Sequence, residues 1–330
     1  MILLAHLVGG ALVFGLWLWL IACLYFAPLP GGEFWTAAAT VFALAPIIAL
    51  IALPDRRRTV RILALVSVVL FAGWWVLPAS NEGDWAEDYR RMPTASFEGD
   101  QVTVRDIRNF EYRSETDFTP RYYDATYDLE ELETLDFIKV HWGLENIAHT
   151  MLSFGFRDGR YLTVSVETRR RKGQDWSSIA GFFKQYTLAY VLGDERDLIR
   201  LRTNYRGEEV YLYPTNTSKP DIRALFVDIV GSASDLASDP QWYNTITDNC
   251  TTSLAKHIRK VRGRRRWDPR LLMNGHTDEM GIESGWITPQ GTLEETRRFY
   301  YVNDKVERIT DPTHYSEQIR ATRVYAAPAT

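Results

Sequence analysis

The stretch IAHTMLSFGFRDGRYLTVSVETRR, residues 147–170, has the pattern of two β-strands joined by a tight turn. Apolar and polar residues alternate on both sides of Asp158-Gly159, a pair that is typical of hairpin turns. The apolar positions on one face are Leu152, Phe154 and Phe156 in the first strand, and Leu162, Val164 and Val166 in the second. The pattern therefore predicts an antiparallel hairpin with one face in the protein core.

The register of this hairpin follows from matching its two apolar faces. Directly opposed side chains point to the same face, so the faces match only across a loop of odd length. We therefore expect a loop of Asp158–Arg160, with residue 157 opposite residue 161. The other face then carries His149 and Glu167 as diagonal neighbours, with Met151 opposite Glu167. Diagonal neighbours lie about 7–8 Å apart, within reach of a hydrogen bond between these side chains.

A second stretch, TDNCTTSLAKHIRKVRG (247–263), predicts a helix that begins at a cysteine. Asn249 suits the N-cap position, and Gly263 suits the end of the helix. Free backbone amides and the helix dipole favour a thiolate at Cys250 in the first turn. Because Cys250 shares an apolar stripe with Leu254 and Ile258, a buried and unreactive cysteine is the alternative interpretation.

A nucleophilic thiol usually needs a base, and His149 is the histidine for which the register supplies an orienting carboxylate. His257 lies on the cysteine helix itself, about 10 Å away by the helical rise. Cys250, His149 and Glu167 are therefore the predicted nucleophile, base and orienting group of a catalytic triad. We expect the backbone amide of Cys250 to bind an oxyanion, with Asn249 or Thr251 as side-chain donors.

The rest of the region after residue 80 predicts an α+β domain over residues 101–330. Residues 81–100 are polar and irregular and predict a linker. Alternating patterns predict strands, and apolar residues at helical spacing predict a helix over 219–237. The tail after residue 265 is polar and has few signals of regular structure, and no metal-binding motif is found. The predicted strands cover 101–114, 134–142, 186–192, 197–204 and 208–213, besides the hairpin.

The first 80 residues predict three transmembrane helices, over 2–26, 35–53 and 62–78. They contain four arginines and two acidic residues, and the arginines all lie between the second and third apolar runs, in PDRRRTVR. The positive-inside rule places that loop and the amino terminus in the cytoplasm, and the main domain outside the inner membrane of a bacterium. The net charge of −4 gives no indication of nucleic-acid binding.

Several blocks of the main domain, in order, resemble the Lnb N-terminal periplasmic domain family. They are AHTMLSF, SVETR, GFFKQY, DERDLIRLRTNYR, VYLY, WYNTITDNCTT and the NG that follows WDPRLLM. The resemblance covers roughly residues 105–280. It implies a permuted papain-like domain in which a histidine strand precedes a cysteine helix, in the order of His149, Glu167 and Cys250. It also implies acyl transfer through a cysteine thioester, without a cofactor.

The expected function is that of a membrane-anchored periplasmic cysteine acyltransferase. It would move a fatty acyl group from a phospholipid or lipoprotein to an amine, and its partners would be membrane lipids and lipoproteins. A cysteine peptidase or amidase acting on cell-wall peptides, or a non-catalytic membrane scaffold, stays open as an alternative. The basic run that includes Arg264, Arg265 and Arg266 either is simply solvated or contacts lipid phosphates.

Overall fold

The computed structural model describes residues 2–29, 32–263, 267–309 and 311–321. The helices of this part of the chain are α1 (Ile2–Tyr25), α2 (Gly32–Ala52), α3 (Arg56–Val76), α4 (Glu195–Arg200), α5 (Lys219–Ser238), α6 (Cys250–Arg262), α7 (Thr277–Glu283), α8 (Leu293–Tyr300), α9 (Asn303–Val306) and α10 (Tyr315–Gln318). Its strands are β1 (Thr94–Glu98), β2 (Gln101–Arg108), β3 (Glu111–Tyr112), β4 (Phe118–Thr119), β5 (Tyr122–Asp128), β6 (Leu132–His141), β7 (His149–Phe156), β8 (Tyr161–Arg169), β9 (Thr187–Gly193) and β10 (Glu209–Pro214).

The fold is mixed α+β, built on one large sheet. Its strand order is β1-β2-β9-β8-β7-β6-β10, and β5 also pairs with β2. The predicted antiparallel sheet is not fully correct, because β2 and β9 meet in a parallel pairing at Arg108 and Gly193. The chain reaches β9 through the long connection after β8, which frees it from hairpin geometry and lets it run parallel to β2. The sheet is therefore mixed.

The predicted hairpin is present as β7 and β8, and its loop has the expected odd length. The loop is Arg157–Gly159 and not Asp158–Arg160, because the Phe156 amide donates to the Arg160 carbonyl and the Gly159 amide donates to the Phe156 carbonyl. Gly159 has φ of +84°, so it occupies the left-handed position that ends a three-residue hairpin loop. The partner of each β7 residue therefore lies two positions closer to the loop than in the predicted register. Because the shift is an even number of residues, the same side chains stay on each face of the hairpin. Ser165 therefore lies opposite Met151, and the same register carries His149 to a position opposite Glu167.

Both faces of β7 are covered, which explains why most of its residues are buried. On one face α5 packs against the hairpin, with the Phe226 ring edge-on to Phe154 at 5.2 Å. On the other face Met151 belongs to a buried apolar cluster with residues of α4, α9 and β10. The hairpin is thus a central, rigid element from which side chains at its ends are positioned.

Three regions differ from the sequence-based expectations. The predicted linker 81–100 contains β1, which pairs with β2 in the sheet. The predicted strand 197–204 is wrong, because α4 and a π-helical turn, Leu201–Tyr205, occupy it and bury Leu198, Ile199 and Leu201. The tail after residue 265 contains helices α7–α10, although its composition gave few signals of them. Its short amphipathic helices gain their order by packing against the domain rather than from local propensity.

Two helices, α2 and α3, are long and apolar enough to cross a membrane by length and composition. The prediction of three spans is therefore wrong in number. Within the described residues α1 contributes the shorter apolar stretch Val13–Tyr25. The cytoplasmic amino terminus was inferred from three crossings and does not follow from two.

The chain divides into two compact units. The first contains residues 1–80 together with 175–187 and 241–245, and the second contains the remainder. In the first unit the Lys184 ammonium donates to the backbone carbonyls of Trp74, Trp75 and Leu77 at the end of α3. A cation at a helix C-terminus satisfies carbonyls that lack partners in the helix.

In the second unit Arg320, close to the end of α10, is buried between two carboxylates. Its guanidinium donates to Asp136 of β6 and to Glu195 of α4, and both carboxylates are 0–1% exposed. It also lies over the Tyr161 ring, 3.7 Å from the centroid. These contacts join the C-terminal segment to the centre of the sheet.

We predict that Arg320→Met destabilises the protein by about 3–5 kcal/mol, because it leaves two buried carboxylates without their counter-charge. Urea unfolding of the detergent-solubilised chain measures the loss. Arg298→Met is the matched control, since Arg298 is largely exposed and pairs with the exposed Glu294 across a helix turn. We expect it to change the free energy of unfolding by less than about 0.5 kcal/mol. Equal effects of the two substitutions would contradict the prediction.

Candidate active site

Cys250 is the first residue of α6, and the capping of this helix fixes its position. The Asn249 side chain accepts hydrogen bonds from the backbone amides of Thr251 and Thr252, while the Thr252 hydroxyl accepts one from the Asn249 amide. This capping box holds the first turn rigid. The thiol therefore sits where the helix dipole favours negative charge.

The Cys250 sulfur meets the first two residues of β7. It is hydrogen-bonded to the His149 side chain and to the backbone amide of Thr150. The Thr150 hydroxyl lies 3.0 Å from that of Thr251, which joins the strand to the helix directly behind the sulfur. Residues about 100 positions apart in the chain thus form one site.

The other side of the His149 ring faces β8. Its Nε2 atom lies 2.7 Å from the Ser165 hydroxyl and 3.3 Å from a Glu167 carboxylate oxygen. Ser165 donates its own proton to Glu167 at 2.6 Å. The serine oxygen must then accept a hydrogen bond from Nε2–H, so Nδ1 is the nitrogen left to face the thiol. The arrangement selects the tautomer in which imidazole can accept the thiol proton.

Glu167 is held in turn by Arg202, from the π-helical turn Leu201–Tyr205. The buried Arg202 guanidinium donates to the same carboxylate oxygen at 2.9 Å, and it also donates to the backbone carbonyl of Leu198. π-Helical turns are rare and recur at functional sites. Here the turn brings an arginine to the carboxylate that orients His149.

Coupling between these charges shifts their pKa values strongly. Burial alone would raise the pKa of Cys250, but the charge and hydrogen bond of His149 lower it to about 7. Burial alone would lower the pKa of His149, but the charges of Glu167 and Cys250 raise it to about 9. Burial would likewise raise the pKa of Glu167, yet His149, Arg202 and Ser165 hold it well below its usual range. Between about pH 7 and 9 the site therefore favours a thiolate beside an imidazolium.

The side chains predicted as oxyanion donors have structural partners. Asn249 caps α6, and the Thr251 hydroxyl lies between Thr150 and Asn274. Arg264, Arg265 and Arg266 lie outside the described residues. His257 is bound between Asp228 and Tyr190, away from the sulfur, as its position along the helix predicted. Within the described part of the chain no group of three His, Cys, Asp or Glu residues could hold a metal ion.

Three residues of the site were not assigned from the sequence. Ser165 contacts both His149 and Glu167, whereas Arg202 reaches His149 only through Glu167. Asn274 brings its side-chain amide to 3.8 Å from the Cys250 sulfur. The sequence marked Asn274 only through the Asn-Gly pair, which is one of the blocks that resemble the family.

Residues 118–275 match the family model described as the Lnb N-terminal periplasmic domain. This match confirms the resemblance found in the sequence, and it includes His149, Glu167, Cys250 and Asn274. The chain thus combines a periplasmic domain with apolar N-terminal helices. No curated protein and no solved structure matches it, and the permuted papain-like architecture stays a prediction.

We predict that alkylation of Cys250 by iodoacetamide rises with a midpoint near pH 7, well below the ordinary thiol value of 9.0. The reagent reacts with the thiolate, and the imidazolium that stabilises it persists up to about pH 9. His149→Ala should move the midpoint above that of an ordinary thiol, because burial then acts without the compensating charge. Peptide mass spectrometry separates Cys250 from Cys23. A midpoint near 9 in the unsubstituted protein would contradict the ion pair.

Proposed function

We propose that the protein is a membrane-anchored periplasmic acyltransferase that uses Cys250 as its nucleophile. It moves a fatty acyl group from a phospholipid or lipoprotein to an amine through a thioester. The observation that carries this proposal is the hydrogen-bonded series from Cys250 through His149 to Glu167, assembled from a helix and two strands. This is the arrangement that nucleophilic catalysis by cysteine requires.

The proposed reaction uses each group in a defined step. The Cys250 thiolate attacks the ester carbonyl, a carbon–sulfur bond forms, and an oxyanion develops. The intermediate collapses, the carbon–oxygen bond breaks, and the leaving alkoxide takes the proton from Nδ1 of His149. Neutral His149 then removes a proton from the incoming amine, which attacks the thioester and releases the thiolate. Glu167 keeps the imidazole oriented throughout and stabilises its charged form.

An apolar substrate is favoured by the side chains around the site. Exposed large apolar residues lie on the three segments that lead to His149, Cys250 and Asn274. They are Trp142, Leu144 and Ile147, then Ile246, and then Trp267, Leu272 and Met273. Single exposed apolar residues are common, but several of them on the chain segments next to one site favour an apolar ligand. A peptidase acting on polar cell-wall peptides would not need these exposed apolar side chains.

The apolar helices support a location beside lipid. The arginines after Asp55 form the first turn of α3, directly after the short connection from α2, and a periplasmic domain after α3 requires that this end of α3 lie in the cytoplasm. The positive-inside rule favours the same placement. We therefore propose an inner-membrane protein whose Arg56–Arg58 segment is cytoplasmic.

Labelling with an impermeant thiol reagent tests the orientation. In a Cys23→Ser, Cys250→Ser background, Arg57→Cys should stay unlabelled in spheroplasts, whereas Lys172→Cys in the domain should react. Lysis should make Arg57→Cys reactive, which shows that the site itself is accessible to the reagent. Labelling of position 57 but not 172 in intact spheroplasts would overturn the orientation.

Mass spectrometry tests the chemistry. The purified protein, incubated with phospholipid, is expected to carry an acyl adduct on Cys250 that hydroxylamine removes, and an added amine should be acylated. Cys250→Ala should lose the adduct, and His149→Ala should reduce it by about 1000-fold or more. Glu167→Gln should keep a reduced but measurable rate, because it affects only the orientation and charge of His149.

Cys23→Ala is the matched control, since it also removes a thiol but leaves the site intact; it should keep full activity. Hydrolysis of cell-wall peptides without an acyl adduct would favour the peptidase alternative. A Cys250 that resists both lipid and alkylating reagents would indicate a non-catalytic scaffold.

A further inference from the structure

The Asn274 side chain has one defined orientation. Its Oδ1 atom accepts the Ala148 backbone N–H at 2.7 Å, so the carbonyl end of the amide faces β7. The NH₂ end must then face α6, where Nδ2 lies 3.0 Å from the Thr251 hydroxyl and 3.8 Å from the Cys250 sulfur. Asn274 is buried, so this donor meets the sulfur with little competition from water.

The backbone around Asn274 is held as firmly as its side chain. Gly275 packs so closely on the preceding loop that a Cβ there would lie 2.0 Å from the Glu145 carbonyl oxygen. The Gly275 N–H donates to the Asn146 carbonyl at 3.2 Å. A glycine is therefore required beside the asparagine, which explains the Asn-Gly pair.

A fully buried lysine fixes the other side of this turn. Lys139 of β6 donates to the Gly275 carbonyl at 3.2 Å and pairs with Asp278, and both side chains are 0% exposed. Asp278 is also bound by Arg297 and by the Tyr213 hydroxyl. Burying such charges is costly, and a well-packed apolar group would serve stability as well. The cluster instead sets the position of the turn that carries Asn274.

We propose that Asn274 is a further catalytic residue, whose Nδ2 donates to the Cys250 thiolate and then to the oxyanion formed when the thiolate attacks. This role rests on the proposed acyl transfer. As the carbon–sulfur bond forms, negative charge moves from sulfur to the carbonyl oxygen, a distance that an amide beside the sulfur can span. The Cys250 backbone amide supplies a second donor at the start of α6, and Lys139 acts as a positioning residue.

Two substitutions separate donation to the sulfur from a structural role. Asn274→Asp keeps the acceptor for the Ala148 N–H but replaces the donor with a negative charge. Asn274→Ala removes both contacts and adds no charge. If donation to the sulfur matters, iodoacetamide alkylation of Cys250 at pH 6.5 should fall in the order unsubstituted protein, Ala, Asp, with the Asp variant at least about tenfold slower. If Asn274 only joins the loop to β7, the Ala variant should be the slower of the two.

Asn216→Asp is the charge control. The Asn216 amide is also hydrogen-bonded, to Gly285 and Thr288, but it lies on the segment after β10, so the alkylation rate of Cys250 should be unchanged in this variant.

With phospholipid and an amine, Asn274→Ala should lower kcat about 100-fold with little change in KM. Alkylation of both Asn274 variants at the unsubstituted rate would overturn the proposal while leaving Cys250 chemistry intact. An unreactive Cys250 in the unsubstituted protein would instead overturn the proposed function. If Asn274→Asp fails to fold, the alkylation midpoint of Asn274→Ala decides: an upward shift supports donation, and an unchanged midpoint refutes it.

Discussion

The charge pair between Cys250 and His149 is the interaction on which the rest of the site depends. A thiolate or an imidazolium alone would be costly in a partly buried position, whereas each stabilises the other across the gap between α6 and β7. The capping of α6, the Thr150 amide and the Glu167 carboxylate all favour the charged state. The domain therefore has to bring a helix start and a strand start together before any chemistry is possible.

Local signals in the sequence predicted the elements that carry this pair. Alternation predicted β7 and β8, and capping residues predicted the bounds of α6, because both patterns depend on neighbours in the chain. The odd number of residues in the hairpin loop was also predictable, since only an odd number places the apolar residues of the two strands on the same face. The exact pairing differs from the prediction by two residues, because the left-handed backbone at Gly159 fixes which three residues form the loop and the apolar alternation does not indicate it.

Long-range contacts could not be predicted in the same way. Arg202 was assigned to a strand, and only the π-helical turn brings it to Glu167. Asn274 lies 24 residues after Cys250, and its role depends on a loop around Asn146 that no periodicity describes.

The three-residue loop Arg157–Gly159 has a consequence for how this gene can change. The loop is separated from His149 by the length of β7, about 25 Å at 3.3 Å per residue. A single-codon insertion there would lengthen the exposed turn, whereas the pairs of β7 and β8 are fixed by their two covered faces and would keep their register. A surface turn remote from the sulfur can therefore vary in length, as exposed loops generally do, without moving His149 or Glu167.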